Sequence, residues 1–373
     1  MSFCSFYDAD VCKSCSWIDY FYAEQLTLKM ENLHNLLDSF EPQLWLKPVP
    51  SALKGFRNKA KMVAMPTADG ITLGITDGTA LIQCPLYDIS MQTTLETIQE
   101  WLRGLGIKAY DIPKKKGELK YVLLTRSSYD GSMMLRFVLR SHGILGRLKS
   151  NLEELVRLLP HLKVISVNIQ SVHMAIMEGD EEIFLTPQTT LEERLNGIPL
   201  FIKPKSFFQT NPDVATKLYK TAADWVSETK PKVIWDLFCG VGGFALHCAS
   251  GEREIVGIEI EPEAIECARE SAKRIGFETI TFEAMDTASF GAQSGKEVDV
   301  IIVNPPRRGL GEQVVKWLNK TAPERIIYSS CNATSLAKDL AFLSQNYTIK
   351  KVQLFDMFAH TPHYETLVEL LKR

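Results

Sequence analysis

The sequence predicts an α/β chain in two parts: an antiparallel α+β region followed by a doubly wound parallel sheet. Three observations carry this. From residue 201 onward, apolar β-rich runs alternate with helical segments, the rhythm of a wound sheet. Between 51 and 201, short β-rich runs are separated by turn residues such as Asp130-Gly131 and Glu178-Gly179-Asp180, the rhythm of an antiparallel sheet. A glycine-rich turn, Asp236-Leu237-Phe238-Cys239-Gly240-Val241-Gly242-Gly243-Phe244, follows an apolar run near the start of the second part. The boundary is placed at 200/201.

Taken in order, residues 24–40 read as an amphipathic helix with Leu26, Leu28, Met30, Leu33, Leu36 and Leu37 on its apolar side; this helix is a candidate to pack on the second part. Strands are expected at 121–125, 133–139, 164–169, 173–177 and 182–185, with a helix over 145–159 crossing them. In the second part strands are expected at 233–238, 255–260, 279–282, 298–303, 326–330, 347–354 and 365–371. No internal repeat, low-complexity tract or flexible linker interrupts this plan.

With 373 residues, 45% hydrophobic and 23% charged, the chain can build two cores and is not compositionally disordered. The first residues lack a basic stretch followed by an apolar one, so a secretory signal is not expected. The longest apolar stretch, 234–249, is too short and glycine-rich to span a bilayer and contains Asp236 and His247. A cytoplasmic protein without a membrane partner is expected. Its eight cysteines then read as metal ligands, catalytic groups or packing residues rather than disulfides. A net charge of −3 argues against coating nucleic acid nonspecifically, yet leaves room for a local basic groove. Arg57, Lys59, Lys61, Lys114, Lys115, Lys116, Lys120, Arg126, Arg136, Arg140, Arg147 and Lys149 all fall between 55 and 150; solvated charge on a sheet face is the alternative.

The glycine turn lets the backbone approach a ligand at a helix amino terminus. Its spacing differs from the G-x-G-x-x-G that cradles a pyrophosphate, which suits S-adenosylmethionine, a ligand with no phosphate. Glu259, ending the next strand, is placed for two ribose hydroxyls, and Asp286, closing the third, for adenine. The strand at 298–303 stops at Asn304-Pro305-Pro306-Arg307 and leaves its carboxyl end open, where ligands sit in wound sheets. The next strand brings Ser329-Ser330-Cys331-Asn332 to the same edge. A thiolate there can attack a carbon electrophile without a full triad; the alternative is a buried packing cysteine. Cys4, Cys12, Cys15 and Cys84 are four potential thiolate ligands of one metal centre, and their spacing fits zinc and an iron–sulfur cluster alike. Cys239, Cys248 and Cys267 read as packing residues.

With Asn304-Pro-Pro-Arg, Ser329-Ser-Cys-Asn and His360-Thr361-Pro362-His363-Tyr364-Glu365 in this order behind the glycine turn, the chain resembles the RNA uracil-C5 methyltransferases. The pattern Cys4-x7-Cys12-x2-Cys15 with Cys84-Pro85 is similar to the branch of that family acting on 23S ribosomal RNA, and the likeness covers essentially the whole chain. It implies a Rossmann-like class I methyltransferase domain at 201–373 and an iron–sulfur, RNA-binding domain at 1–200. It implies Cys331 as nucleophile, Glu365 as the base that removes the C5 proton, and Gln209, Phe238, Glu259 and Asn304 as S-adenosylmethionine contacts, with Asp286 assisting. It further implies a [4Fe–4S] cluster on Cys4, Cys12, Cys15 and Cys84, with 23S ribosomal RNA as partner and a single 5-methyluridine in that RNA, at uridine 747, as product. Many relatives carry Asp where this chain has Asn304, and Pro where it has Ala333.

The chemistry accounts for these residue types on its own terms. C5 of uracil is too electron-poor to attack a sulfonium methyl until a thiolate adds at C6, and the C5 proton must then leave to a carboxylate before the thiolate can be expelled. The target base must be splayed out of its RNA, and unstacked bases are held on aromatic side chains. Phe207, in Ser206-Phe207-Phe208-Gln209, is the candidate platform, with Arg57 and Lys59 as candidate backbone contacts. No DNA and no obligatory protein partner is expected. Two rival readings are methylation of another ribosomal or transfer RNA uridine, and a noncatalytic metal-stapled RNA-binding module; the presence of both Cys331 and Glu365 speaks against the latter. An iron–sulfur redox protein would need a flavin or nicotinamide loop that the sequence lacks.

Overall fold

The computed structural model describes residues 2–68, 70–75, 79–173, 177–287, 289–290 and 297–373. The backbone divides into two compact units: Met1–Lys13 with Leu53–Glu193, and Ser14–Ala52 with Arg194–Arg373. Residues 14–52 thus group with the second unit although they precede most of the first, which a single cut at 200 does not express. The cause is the helix Tyr22–Leu37, whose Leu33 and Leu37 are fully buried among Trp235, Tyr328, Leu336 and Leu340 of the second core.

In the first unit six strands form one sheet in the order Gly70–Gly74, Lys59–Thr67, Leu119–Arg126, Met133–Leu139, Leu162–Ile169, Glu181–Phe184. The expected antiparallel sheet is mixed, because Met133–Leu139 and Leu162–Ile169 run parallel. Such a pair needs a crossover, and the helices Leu145–Ser150 and Leu152–Leu158 supply it. They form two short helices, meeting at Asn151, where one was expected. The strand Lys59–Thr67 is hidden at the level of sequence because its alternation of buried Ala60, Met62 and Ala64 is masked by Lys59 and Lys61 on the other face. The helix Ile89–Gly104 is a further element that the sequence pattern did not reveal. Asp88 caps that helix by accepting from the Ser90 N–H at 2.8 Å, and the helix buries Met91, Leu95, Ile98 and Leu102. The strand expected at 173–177 lies largely outside the described residues.

The second unit holds an eight-stranded sheet in the order Leu44–Trp45, Tyr347–Phe355, Glu365–Lys372, Arg325–Ser330, Val300–Val303, Val233–Leu237, Glu254–Glu259, Ile280–Ala284. The last five are mutually parallel. Glu365–Lys372 inserts antiparallel between Arg325–Ser330 and Tyr347–Phe355. The central strands are continuous apolar runs, as strands covered on both faces require, with every residue of Val300–Val303 buried. Among the described residues no helix is long and apolar enough to cross a membrane.

The helix Tyr22–Leu37 buries part of the leucine stripe that hydropathy marked: Leu33 and Leu37 are fully buried and Met30 and Leu36 pack against the core, whereas Leu26 and Leu28 stay half-buried. Its buried positions are Gln25, Lys29, Leu33 and Leu37, one face at four-residue spacing and half polar. Lys29 Nζ meets Asp356 Oδ1 at 2.6 Å, with both side chains fully buried. It also donates to the Phe358 carbonyl at 3.2 Å. The Tyr22 hydroxyl donates to Asp356 Oδ2 at 2.7 Å. Gln25 takes the His360 N–H at 2.8 Å, and its amide donates to the carbonyls of Trp17 and Tyr20. These bonds tie the amino-terminal segment of this unit to the loop before Glu365. Breaking one side of a buried ion pair strands a charge at about 3–5 kcal/mol. Lys29→Met is therefore expected to lower the urea denaturation midpoint accordingly; an unchanged midpoint would show that Asp356 finds water instead.

Candidate active site

Val233–Leu237 and Val300–Val303 are neighbours from which the chain winds outward in opposite directions. This makes their carboxyl ends the switch point where wound sheets hold ligands. Phe238, just past the first strand, is a non-glycine residue in the left-handed region at φ +62°. Such backbone persists only where its surroundings hold it, and it clusters at ligand sites. A Cβ on Gly242, at φ +84°, would stand 2.8 Å from the Phe282 ring, and one on Gly243 would meet Tyr219 at 2.6 Å. A side chain at 242 or 243 would have to displace these rings.

Glu259 ends the adjacent strand. Its Oε2 accepts from the Gly240 N–H at 3.1 Å and its Oε1 from the Ile260 and Glu261 N–H groups at 2.7 and 3.2 Å. The carboxylate is thereby fixed at the mouth of the glycine turn. Asp286 lies two residues beyond the strand Ile280–Ala284, is exposed, and accepts from the Ser289 N–H at 3.1 Å. Asn304 is half-buried and donates its N–H to the Leu237 carbonyl at 3.3 Å. Gln209 is buried and hydrogen-bonds Tyr219. Asp236 is fully buried; its Oδ2 accepts from the Ala245 N–H at 2.8 Å, and burial pushes its carboxyl up to about 7.

The thiol and the carboxylate are brought together by strand register. Arg325–Ser330 and Glu365–Lys372 pair antiparallel with Ser330 opposite Thr366, so one step further Cys331 meets Glu365. Burial and the Glu365 charge raise the Cys331 thiol above its ordinary value, whereas the Arg307 guanidinium beside it pulls the other way. Asn332, the next residue, caps the helix Ala333–Leu343 by accepting from the Thr334 N–H at 3.1 Å, and donates to the Arg307 carbonyl at 2.9 Å. One side chain thus links the cysteine turn to the Asn-Pro-Pro-Arg loop. Asp339 strengthens the link, accepting from the Tyr328 hydroxyl at 2.6 Å and the Leu310 N–H at 2.8 Å. Glu365 is 2% exposed, and desolvation pushes its carboxyl up to about 7 against the bond donated by Ser329 at 2.5 Å. Arg307 and Ser329 stand inside their sequence motifs without a role that spacing reveals; their adjacency to Cys331 and Glu365 is a tertiary fact.

In Ser206-Phe207-Phe208-Gln209 the two phenylalanines divide: Phe208 is buried and Phe207 is 69% exposed. Of the basic residues between 55 and 150, Arg57 is exposed and Lys59 half-buried. Burial and the charges of Lys61 and Arg136 lower the Lys59 amine to about 8. Arg136 is no surface cation. It is buried and bonds Glu182, with its nitrogens 2.6–3.0 Å from the carboxylate.

Cys4, Cys12 and Cys84 belong to the first unit and are all buried; Cys15 belongs to the second. Burial, with smaller contributions from the charges of Cys4 and Cys12 near it, pushes the Cys84 thiol up to about 11. Among the described residues, however, no group of three or more His, Cys, Asp or Glu side chains has the arrangement of a metal site. Cys239, Cys248 and Cys267 are buried, their thiols raised by desolvation, as packing residues are.

The profile of the tRNA (Uracil-5-)-methyltransferase family matches residues 196–373. The 23S rRNA (uracil(747)-C(5))-methyltransferase RlmC of Escherichia coli O127:H6 is 50% identical over 374 residues, covering 99% of this chain and 100% of its own. RlmC of Shigella flexneri matches to the same extent. Among solved structures, the Pyrococcus abyssi tRNA (uracil-54, C5)-methyltransferase in complex with S-adenosyl-L-homocysteine superposes with a TM-score of 0.80 at 28% identity. That match covers 96% of this chain and 85% of the other. Half-identity along the whole length, on a fold that sets a cysteine against a glutamate beside a cofactor crevice, means that the chain belongs to the RNA uracil-C5 methyltransferases.

Proposed function

We propose that the chain methylates C5 of a uridine in 23S ribosomal RNA, at the position equivalent to 747 in its relatives, with S-adenosylmethionine as methyl donor. The observation that carries this is the register that ends with Ser330 opposite Thr366 and so brings the next residues, Cys331 and Glu365, close together at the edge that also holds the glycine turn and Glu259. S-adenosylmethionine, when bound, supplies the electrophilic methyl group. Phe238, Glu259, Gln209 and Asn304, with Asp286 at the rim, would hold it; the close-packed glycine turn and the fixed Glu259 carboxylate fit such a ligand. The Cys331 thiolate adds to C6 and makes C5 a nucleophilic carbon. After methylation Glu365 takes the C5 proton, the C5–C6 double bond re-forms and the thiolate leaves. Exposed Phe207 offers a stacking face for a splayed base, and Arg57 with Lys59 contacts to the RNA backbone. The setting is the cytoplasm, where ribosomal RNA is modified.

Two measurements check this reading. Methyl incorporation into a 23S transcript should exceed that into transfer RNA transcripts by orders of magnitude; the reverse would make this a transfer RNA enzyme of the same family. Glu259→Ala should lose roughly 1.5–3 kcal/mol of S-adenosylmethionine affinity, the worth of a hydrogen bond to a charged group. Unchanged binding in calorimetry would take Glu259 out of the site.

Cys4, Cys12, Cys15 and Cys84 are assigned to a [4Fe–4S] cluster that staples the amino terminus and takes no part in methyl transfer. The donor chemistry supports this: four thiols without an imidazole, three of them buried, are the ligand type that iron–sulfur clusters take. Anaerobically purified protein should contain iron and acid-labile sulfide, and Cys84→Ser should lose both. Stoichiometric zinc without iron would contradict the assignment.

A further inference from the structure

We propose that Ser329 is a positioning residue for proton removal: its hydroxyl, bonded to Glu365 Oε1, aims the other carboxylate oxygen at the proton on C5. The inference rests on the reading of Glu365 as the base. Ser329 stands opposite Leu367 in the ladder that sets Ser330 opposite Thr366. Residues two apart on a strand share a face, so Ser329, Cys331 and Glu365 fall on one side of the sheet. Ser329 is fully buried and Glu365 is 2% exposed, and the oxygens stand 2.5 Å apart. A buried hydroxyl has one proton to give, and this one goes to Oε1, which leaves Oε2 for the reaction. The C5 proton then moves to Oε2, its bonding pair becomes the C5–C6 π bond, and the pair of the breaking S–C6 bond leaves on Cys331 as thiolate.

Other groups facing this carboxylate do not substitute for the hydroxyl. Tyr219, from the helix Pro212–Ser227, keeps its proton firmly because it is desolvated and because Asp236 and Glu365 both lie near it. Cys331 is itself raised by Glu365. Arg307 acts on the thiol, and His363, two residues before Glu365, is held toward its neutral form by burial and by Arg307 and Lys29. Ser329 is thus the neutral donor that favours the ionised base.

The test separates the two halves of the reaction in single turnovers across pH. Ser329→Ala should form the C5-methylated covalent adduct at the wild-type rate, which also shows that it folds and binds. Adduct breakdown should slow at least about tenfold, with its pH midpoint moved upward by about one unit, because loss of the donated bond makes Glu365 harder to ionise. Ser329→Thr, which keeps the hydroxyl, should recover most of the rate. Breakdown at the wild-type rate and midpoint in Ser329→Ala would overturn the proposal, as would an equal loss in adduct formation and breakdown. Glu365→Gln is run alongside: if it accumulates adduct while Ser329→Ala is normal, only the role of Ser329 fails. If Glu365→Gln releases product normally, the base assignment falls and this proposal with it.

Discussion

Cys331→Ala protein is expected to bind S-adenosylmethionine normally, to form no covalent RNA adduct and to lose turnover by about 10⁴-fold or more, the scale on which removal of a covalent nucleophile acts. Without attack at C6, C5 of uracil has no electron density to offer a methyl group, and no neighbouring group supplies a substitute. Ser329 and Ser330 share the strand end, but their hydroxyls are committed, Ser329 to Glu365 and Ser330 to the Asn332 carbonyl. The substitution leaves the Asn332 cap and its bond to the Arg307 carbonyl in place, so the loss is chemical rather than structural. Denaturing electrophoresis of protein incubated with RNA and cofactor reads the adduct; methylated uridine from the variant would refute the role of Cys331.

Glu365→Gln is expected to behave in the opposite way. Addition and methyl transfer proceed, but the C5 proton has no acceptor, so a methylated adduct accumulates and multiple turnover falls by about 10²–10⁴-fold. Glutamine keeps the shape and can still accept from Ser329. The wild-type enzyme carries the same logic in its pH dependence. Burial holds Glu365 at about 7, above an ordinary carboxyl, so its basic form, and with it adduct breakdown, grows as pH rises through 7. The Cys331 thiol is also raised, so its thiolate fraction grows in the same direction. Both steps should speed up from pH 6 to 8. A breakdown rate falling over that interval would mean that Glu365 acts in its protonated form.

Most of the second unit was legible because its chemistry is written in contiguous motifs at strand ends. Each expected strand from 233 to 371 is present to within two residues. The glycine turn, Asn304 and Cys331 fall on one sheet edge because parallel strands all point their carboxyl ends the same way. The meeting of Cys331 with Glu365 was not legible from the strands alone. It depends on Glu365–Lys372 running antiparallel between two earlier strands, which periodicity does not encode. Lys29 is hidden for a related reason: a lysine on a leucine-rich helix looks like its solvated edge until Asp356, 327 residues away, is seen to meet it. In the first unit the basic cluster was legible as composition only. Arg136 is consumed by Glu182, which reaches it from the second strand over, across Leu162–Ile169.

The claim that this chain acts at C5 through addition and proton removal is tested most directly by one double-label experiment. A 23S transcript carrying tritium at C5 of its uridines is incubated with the enzyme and carbon-labelled S-adenosylmethionine, and released tritium is compared with incorporated methyl. The account predicts one C5 tritium released to water for each methyl incorporated, at the uridine equivalent to 747 in the relatives. Methyl incorporation with the C5 tritium retained would place the reaction at another atom and contradict it.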